Sequence, residues 1–202
     1  GGHFLAGRPR GSPLRHKHIT TMEKYNPEIH HRRSIRLQEY DYSQEGAYFI
    51  TICAQDWRCL FGKVVNKEMY LNEYGQIVYQ EWEKLPERWK HLELGAFQIM
   101  PNHMHGILIF NAVDVSSADL SNPKIQWALK PSVGQVIGAY CSVSATACLD
   151  FTKKNHPDVH LGKVWQRGFH EHVIRDLKAF GNISNYIINN PENWRQDKFY
   201  VQ

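Results

Sequence analysis

From residue 47 onward the chain alternates between short runs rich in β-branched and aromatic residues and longer runs with apolar residues three or four apart. Ala47 to Cys53 (AYFITIC) predicts a strand. Residues 72–89 place Tyr74, Val78, Trp82 and Leu85 at spacings of four, four and three. That spacing predicts a helix with one buried stripe, Asn72 as its cap and Pro86 at its end. Leu92 to Met100 and His103 to Phe110 predict two more strands, and the short Pro-Asn link between them suits a hairpin. Residues 111–131 hold Asp, Ser, Asn and two Pro without periodicity, which predicts a loop. Ser132 to Asp150 predicts a second helix, with Val133, Ile137, Tyr140 and Ser144 on one face. A polar loop is expected over 152–163, a fourth strand over Phe169 to Arg175, and a final helix over 177–190 ended by Pro191.

Strand, helix, strand, strand, helix, strand and an extra helix is the order of the ferredoxin-like split βαβ fold. The expected class is α+β: a four-stranded antiparallel sheet, RRM-like, with its two main helices on one face and an added C-terminal helix. The other face is then free to bind something. A fold of this kind hosts many functions and does not choose among them.

Charge divides the chain. Residues 1–36 carry eight Lys or Arg and two acids, a net +6; the remaining sixteen basic and eighteen acidic residues give −2. Residues 1–36 are therefore expected to be a basic arm, partly disordered, ahead of a nearly neutral domain over 37–195 and a tail over 196–202. Within the arm, PEIHHRRSIR (27–36), with Arg32, Arg33 and Arg36, is the stretch suited to phosphate contacts. No run is long and apolar enough to span a membrane. Cys53, Cys59, Cys141 and Cys148 lack CxxC spacing and suit reduced thiols, so a cytoplasmic, nucleoid-associated protein is expected.

Candidate chemistry starts at Pro-Asn-His-Met-His, residues 101–105. Side chains alternate along a strand, so His103 and His105 share a face and suit one divalent ion. With twelve histidines in the chain, spacing alone leaves a chance pairing open; His170 and His172 form a rival pair. On the final helix Tyr186 and Asn190 lie four apart and share a face. Taken alone, they read first as a core aromatic and a C-terminal helix cap.

The combination decides more than its parts. A His-x-His strand followed by a helix with Tyr and, four later, Asn resembles the HUH single-strand nucleases, and most closely the REP-associated tyrosine transposases. The resemblance is carried by YFITICAQDWRCLFG (48–62), MPNHMHGILIF (100–110), SVGQVIGAYCS (132–142), WQRGFHEHVIRD (165–176) and YIINNPENW (186–194). It implies a transposase that acts as a metal-dependent endonuclease and strand transferase on single-stranded DNA. Its target would be a hairpin-forming repeat or an element end. His103, His105 and Asn190 would hold Mg²⁺ or Mn²⁺, and Tyr186 would be the nucleophile that forms a 5′-phosphotyrosine. Relatives include monomers and homodimers. Arg58, Arg167, Arg175, Trp165 and Trp57, with the arm arginines, are candidates for stacking and phosphate contact. Relatives often carry a basic residue near Cys141, where this chain has Cys-Ser-Val-Ser. The alternative is a non-catalytic nucleic-acid-binding module that uses its sheet face.

Overall fold

A computed structural model describes residues 45–112 and 121–201, so the arm with Arg32, Arg33 and Arg36 lies outside the described residues. The chain runs β1 (Gly46–Cys53), β2 (Gly62–Val65), β3 (Glu68–Leu71), α1 (Glu73–Glu83), α2 (Leu85–Arg88), β4 (Leu92–Ile99), β5 (His103–Phe110), α3 (Pro123–Leu129), α4 (Val133–Asn155), β6 (His170–Ile174) and α5 (Leu177–Ile188). A 3₁₀ turn, Pro191–Gln196, follows α5. The main sheet has the order β4-β5-β1-β6, antiparallel throughout. This is the expected ferredoxin-like arrangement.

The two long helices form as their patterns predict. Asn72 accepts the Gly75 amide at the start of α1, and Ser132 and Gln135 close a capping box at the start of α4. Val133, Ile137, Tyr140 and Ser144 are all buried, and α1 packs against α4 over one face of the sheet. That core holds Trp82, Trp89, Tyr140, Met104 and Leu108. Gly106 on β5 makes room for it: a Cβ there would sit 2.5 Å from the Trp82 ring. Gly106→Ala is expected to cost about 1–3 kcal/mol through overpacking, seen as a lower thermal midpoint with an unchanged circular dichroism spectrum.

Four expectations are corrected. The helix over 72–89 breaks after Glu83, and Pro86 lies in the first turn of α2 instead of ending α1, because Pro lacks only an N–H that a first turn leaves unpaired. The loop over 111–131 contains α3, and α4 runs on to Asn155 into the expected polar loop. No element was expected over 62–71, yet the β2–β3 hairpin forms there without a glycine in its turn: Asn66 and Lys67 make it with φ of 51° and 66°.

The fourth correction matters most. The second sheet face is covered by α5, which lies across β4 and β5. Phe180 and Ile187 pack there against Ala47, Ile107, Ile109 and Ile174. Odd-numbered residues of β5 point to this side, so His103 and His105 are buried beneath the helix rather than open to solvent (0% and 1% exposed). The binding-module alternative needs this face bare.

Candidate active site

Three elements converge on the two histidines. β5 presents His103 and His105 side by side, their ring centroids 4.6 Å apart. Helix α5 brings Tyr186, whose hydroxyl lies 3.3 Å from His105 Nε2. The turn after α5 brings Asn190 and Asp197, with the Asn190 amide donating to Asp197 Oδ2 at 2.9 Å. The ligand atoms of His103, His105 and Asp197 all lie within 4.8 Å of one another.

Hydrogen bonds fix the imidazole edges. Asn102, fully buried, spends its NH₂ on the carbonyls of Trp57 (3.3 Å) and Phe199 (2.7 Å). Its Oδ1 then faces His103 Nδ1 at 2.9 Å and can only accept. His103 therefore carries its proton on Nδ1, and Nε2 is a bare lone pair. That Nε2 is buried without a hydrogen-bond partner, and so is Asn190 Oδ1. His105 Nδ1 meets Thr51 Oγ1 at 2.8 Å; with the proton on Nδ1, its Nε2 accepts from the Tyr186 hydroxyl at 3.3 Å. A buried acceptor without a donor is costly. Two such atoms beside a carboxylate are what a divalent cation would satisfy, so His103, His105, Asn190 and Asp197 fit a metal.

Burial pushes both imidazoles down to about 3; for His103 Lys198 adds to it, and for His105 the neighbouring His103 and Lys198 add while Asp197 opposes. Both rings are neutral at pH 7, the form that binds metal. Unfolded imidazoles titrate near ~6.5. Between that value and about 3 the unfolded chain holds more protons. Stability is thus complete above ~6.5 and is lost as pH falls, by up to about 1.4 kcal/mol per pH unit for each ring. Urea unfolding of the metal-free protein should show a lower midpoint at pH 5 than at pH 7.5, with a smaller drop in His103→Gln.

Tyr186 is 45% exposed, its ring edge-on to Phe49. Burial and then Asp197 raise the phenol above its ordinary range, and a hydrogen bond from Asn190 pulls it back. A divalent cation held by Asp197 would oppose the rise that its carboxylate causes.

Phe199 roofs the pair, 4.6 Å from the His103 ring, and Trp57 stacks on Phe199 at 5.2 Å and 21°. Both Asp56 and Trp57 hold φ of 57°, a left-handed conformation that a bulky Trp adopts only when held. The Asn102 bond to the Trp57 carbonyl is one such restraint.

The other sequence candidates lie apart. Trp165 is buried in the core beneath the helices, donates to Ser144 and packs on Phe61 and Tyr140, so its ring offers no open face for a base. Arg58 donates to the carbonyls of Gln55, Leu161 and Lys163, tying two loops together. Arg167 and Arg175 are exposed. His170 and His172 are exposed on β6, paired with Thr51 and Phe49 across β1, and do not join the buried histidines. Sequence reasoning missed Thr51, Asn102, Asp197 and Phe199. Asn102 stood in the quoted motif but read as a turn residue. Asp197 and Phe199 lie beyond the expected domain boundary at 195, in a segment with no periodic signal.

No family model matches the chain. An uncharacterized protein of Haemophilus influenzae is 41% identical over 181 residues, covering 88% of this chain and 98% of the relative. A putative REP-associated tyrosine transposase of the same organism is 27% identical over 151 residues, 75% of this chain and 73% of that one. A solved REP-associated tyrosine transposase, bound to a REP hairpin, superposes with a TM-score of 0.51 at 19% identity, over 80% of this chain and 74% of its own. In fold the chain resembles that REP-associated tyrosine transposase. No helix among the described residues is long and apolar enough to cross a membrane.

Proposed function

We propose that this chain is a DNA transposase of the single-tyrosine type, a metal-dependent endonuclease and strand transferase for single-stranded DNA. The observation that carries the reading is the Tyr186 hydroxyl 3.3 Å from the Nε2 of a buried, neutral His105 on its own chain. A hairpin-forming repeat is the proposed target, since the solved relative is bound to a REP hairpin.

Bound Mg²⁺ or Mn²⁺ would polarise the scissile phosphate and neutralise charge on its oxygens. Two imidazoles in the ligand set favour Mn²⁺ over Mg²⁺, which prefers oxygen. The chain's own residues do the rest. Thr51 and Asn102 hold the rings so that each Nε2 faces inward. Asn190 steadies the phenol oxygen, and Phe49 and His105 hold the tyrosine ring edge and face. Tyr186 gives up its proton to water and its oxygen forms a bond to phosphorus. The bond from phosphorus to the 3′-oxygen breaks, and that oxygen takes up a proton from water. The products are a 5′-phosphotyrosine and a free 3′-hydroxyl. Attack by another 3′-hydroxyl reverses the step, so no external energy source is required.

The test is a covalent adduct. The full chain incubated with Mn²⁺ and a single-stranded hairpin oligonucleotide should give a protein–DNA species stable to denaturant. Peptide mapping should put the phosphate on Tyr186, and a chelator should prevent its formation. Strand cleavage by water without any adduct would overturn the reading.

A further inference from the structure

Helix α5 carries a second pattern that the proposed chemistry does not use. Asn182, Asn185, Tyr186 and Asn189 fall at spacings of three, one and three, so they form one stripe along the helix. The three amides are exposed, whereas Phe180, Ser184 and Ile187 of the same helix are buried. Asn193 and Gln196 of the following turn extend the stripe, and these residues line a cleft of about 580 Å³ that contains Tyr186. Its charged lining residues are Asp197, at the metal end, and Lys198.

This composition is unusual for a solvated helical face. Such faces favour Lys, Glu, Arg, Gln and Ala, because Asn is a poorer helix former whose amide competes for the backbone. Helix propensity therefore does not explain the exposed Asn182 and Asn185 within α5; Asn189 is its C-cap residue and continues their line. Phosphate binding does not explain them either, since that calls for Lys and Arg. Among the described residues the side chains of Asn182, Asn185 and Asn189 make no hydrogen bond. An Asn amide offers a donor and an acceptor from one planar group, the pairing that matches the edge of a nucleobase.

We propose that the amide stripe of α5 reads the bases of the single strand beside the scissile phosphate. Sequence preference at those nucleotides is then set by the same helix that carries the nucleophile. The inference rests on Tyr186 being that nucleophile, which places the flanking strand in the cleft. Because the amides are uncharged, they discriminate between sequences without adding to the salt-dependent part of binding.

The test separates base reading from chemistry. The metal-free full chain and the triple variant Asn182→Ala, Asn185→Ala, Asn189→Ala compete for a randomised single-stranded DNA library, and bound strands are sequenced. Adduct formation with Mn²⁺ is measured on the same proteins. The native chain should prefer particular bases, roughly tenfold for each well-paired amide. The variant should lose that preference, keep the same salt slope with a non-specific oligonucleotide, and unfold at an equal or higher temperature, since Ala is the better helix former. Lys198→Gln should do the reverse, lowering the salt slope and sparing the preference. A native chain without base preference, or a variant that keeps it, overturns the proposal. Base preference that depends on the amides in a protein that forms no adduct leaves the cleft standing and removes the tyrosine chemistry.

Discussion

Tyr186→Phe is expected to bind single-stranded DNA as the native chain does and to form no covalent adduct. The substitution removes one oxygen and leaves the ring against Phe49 and His105, so packing is retained. What disappears is the proposed nucleophile. Loss of a nucleophile costs about 10³-fold or more, so adduct yield should fall to background on a denaturing gel. One other phenol deserves a control: Tyr200 is 37% exposed and packs edge-on to Trp194. An adduct that survives in Tyr186→Phe and maps to Tyr200 would move the nucleophile, whereas Tyr200→Phe should leave the yield unchanged.

The second large effect concerns the metal. His103→Ala should abolish measurable Mn²⁺ binding by calorimetry, because it deletes one of two nitrogen ligands. Asn102→Ala makes the sharper experiment. Asn102 is not expected to touch the ion; it holds the proton of His103 on Nδ1 and so keeps Nε2 bare. Freed of that bond, His103 can rotate or carry its proton on Nε2 instead. Loss of such an orienting partner lowers metal affinity by about 10–100-fold. Nitrogen-15 spectra of the metal-free protein should show the His103 proton on Nδ1 in the native chain and not in the variant. Asn102→Asp keeps an acceptor at that edge and should keep the tautomer.

The sheet order was legible because β-branched runs and helical spacings alternate cleanly, and the helix-side core followed from the same periodicity. The His pair and Tyr186 were legible as a motif. Their burial also has a signal in the sequence, within β5. Its odd positions are His103, His105, Ile107 and Ile109, and two isoleucines on a supposedly open face already call for a cover. The stripe Phe180, Ile183 and Ile187 on α5 is that cover. Asp197 and Asn102 were harder to see. A single acid in Gln-Asp-Lys has no period, and an Asn before a strand looks like any turn residue. Their roles depend on a contact between sequence-distant segments, Asn102 with Phe199, which no local pattern encodes.

The short distance from Tyr186 to its own His105 also sets a stoichiometry. On the proposed chemistry each folded polypeptide has one nucleophilic phenol, Tyr186, and so can be charged with one 5′ end at a time. Joining two ends would then require either successive rounds on one molecule or two molecules charged together. A titration of adduct against protein should therefore saturate at one equivalent of strand per polypeptide.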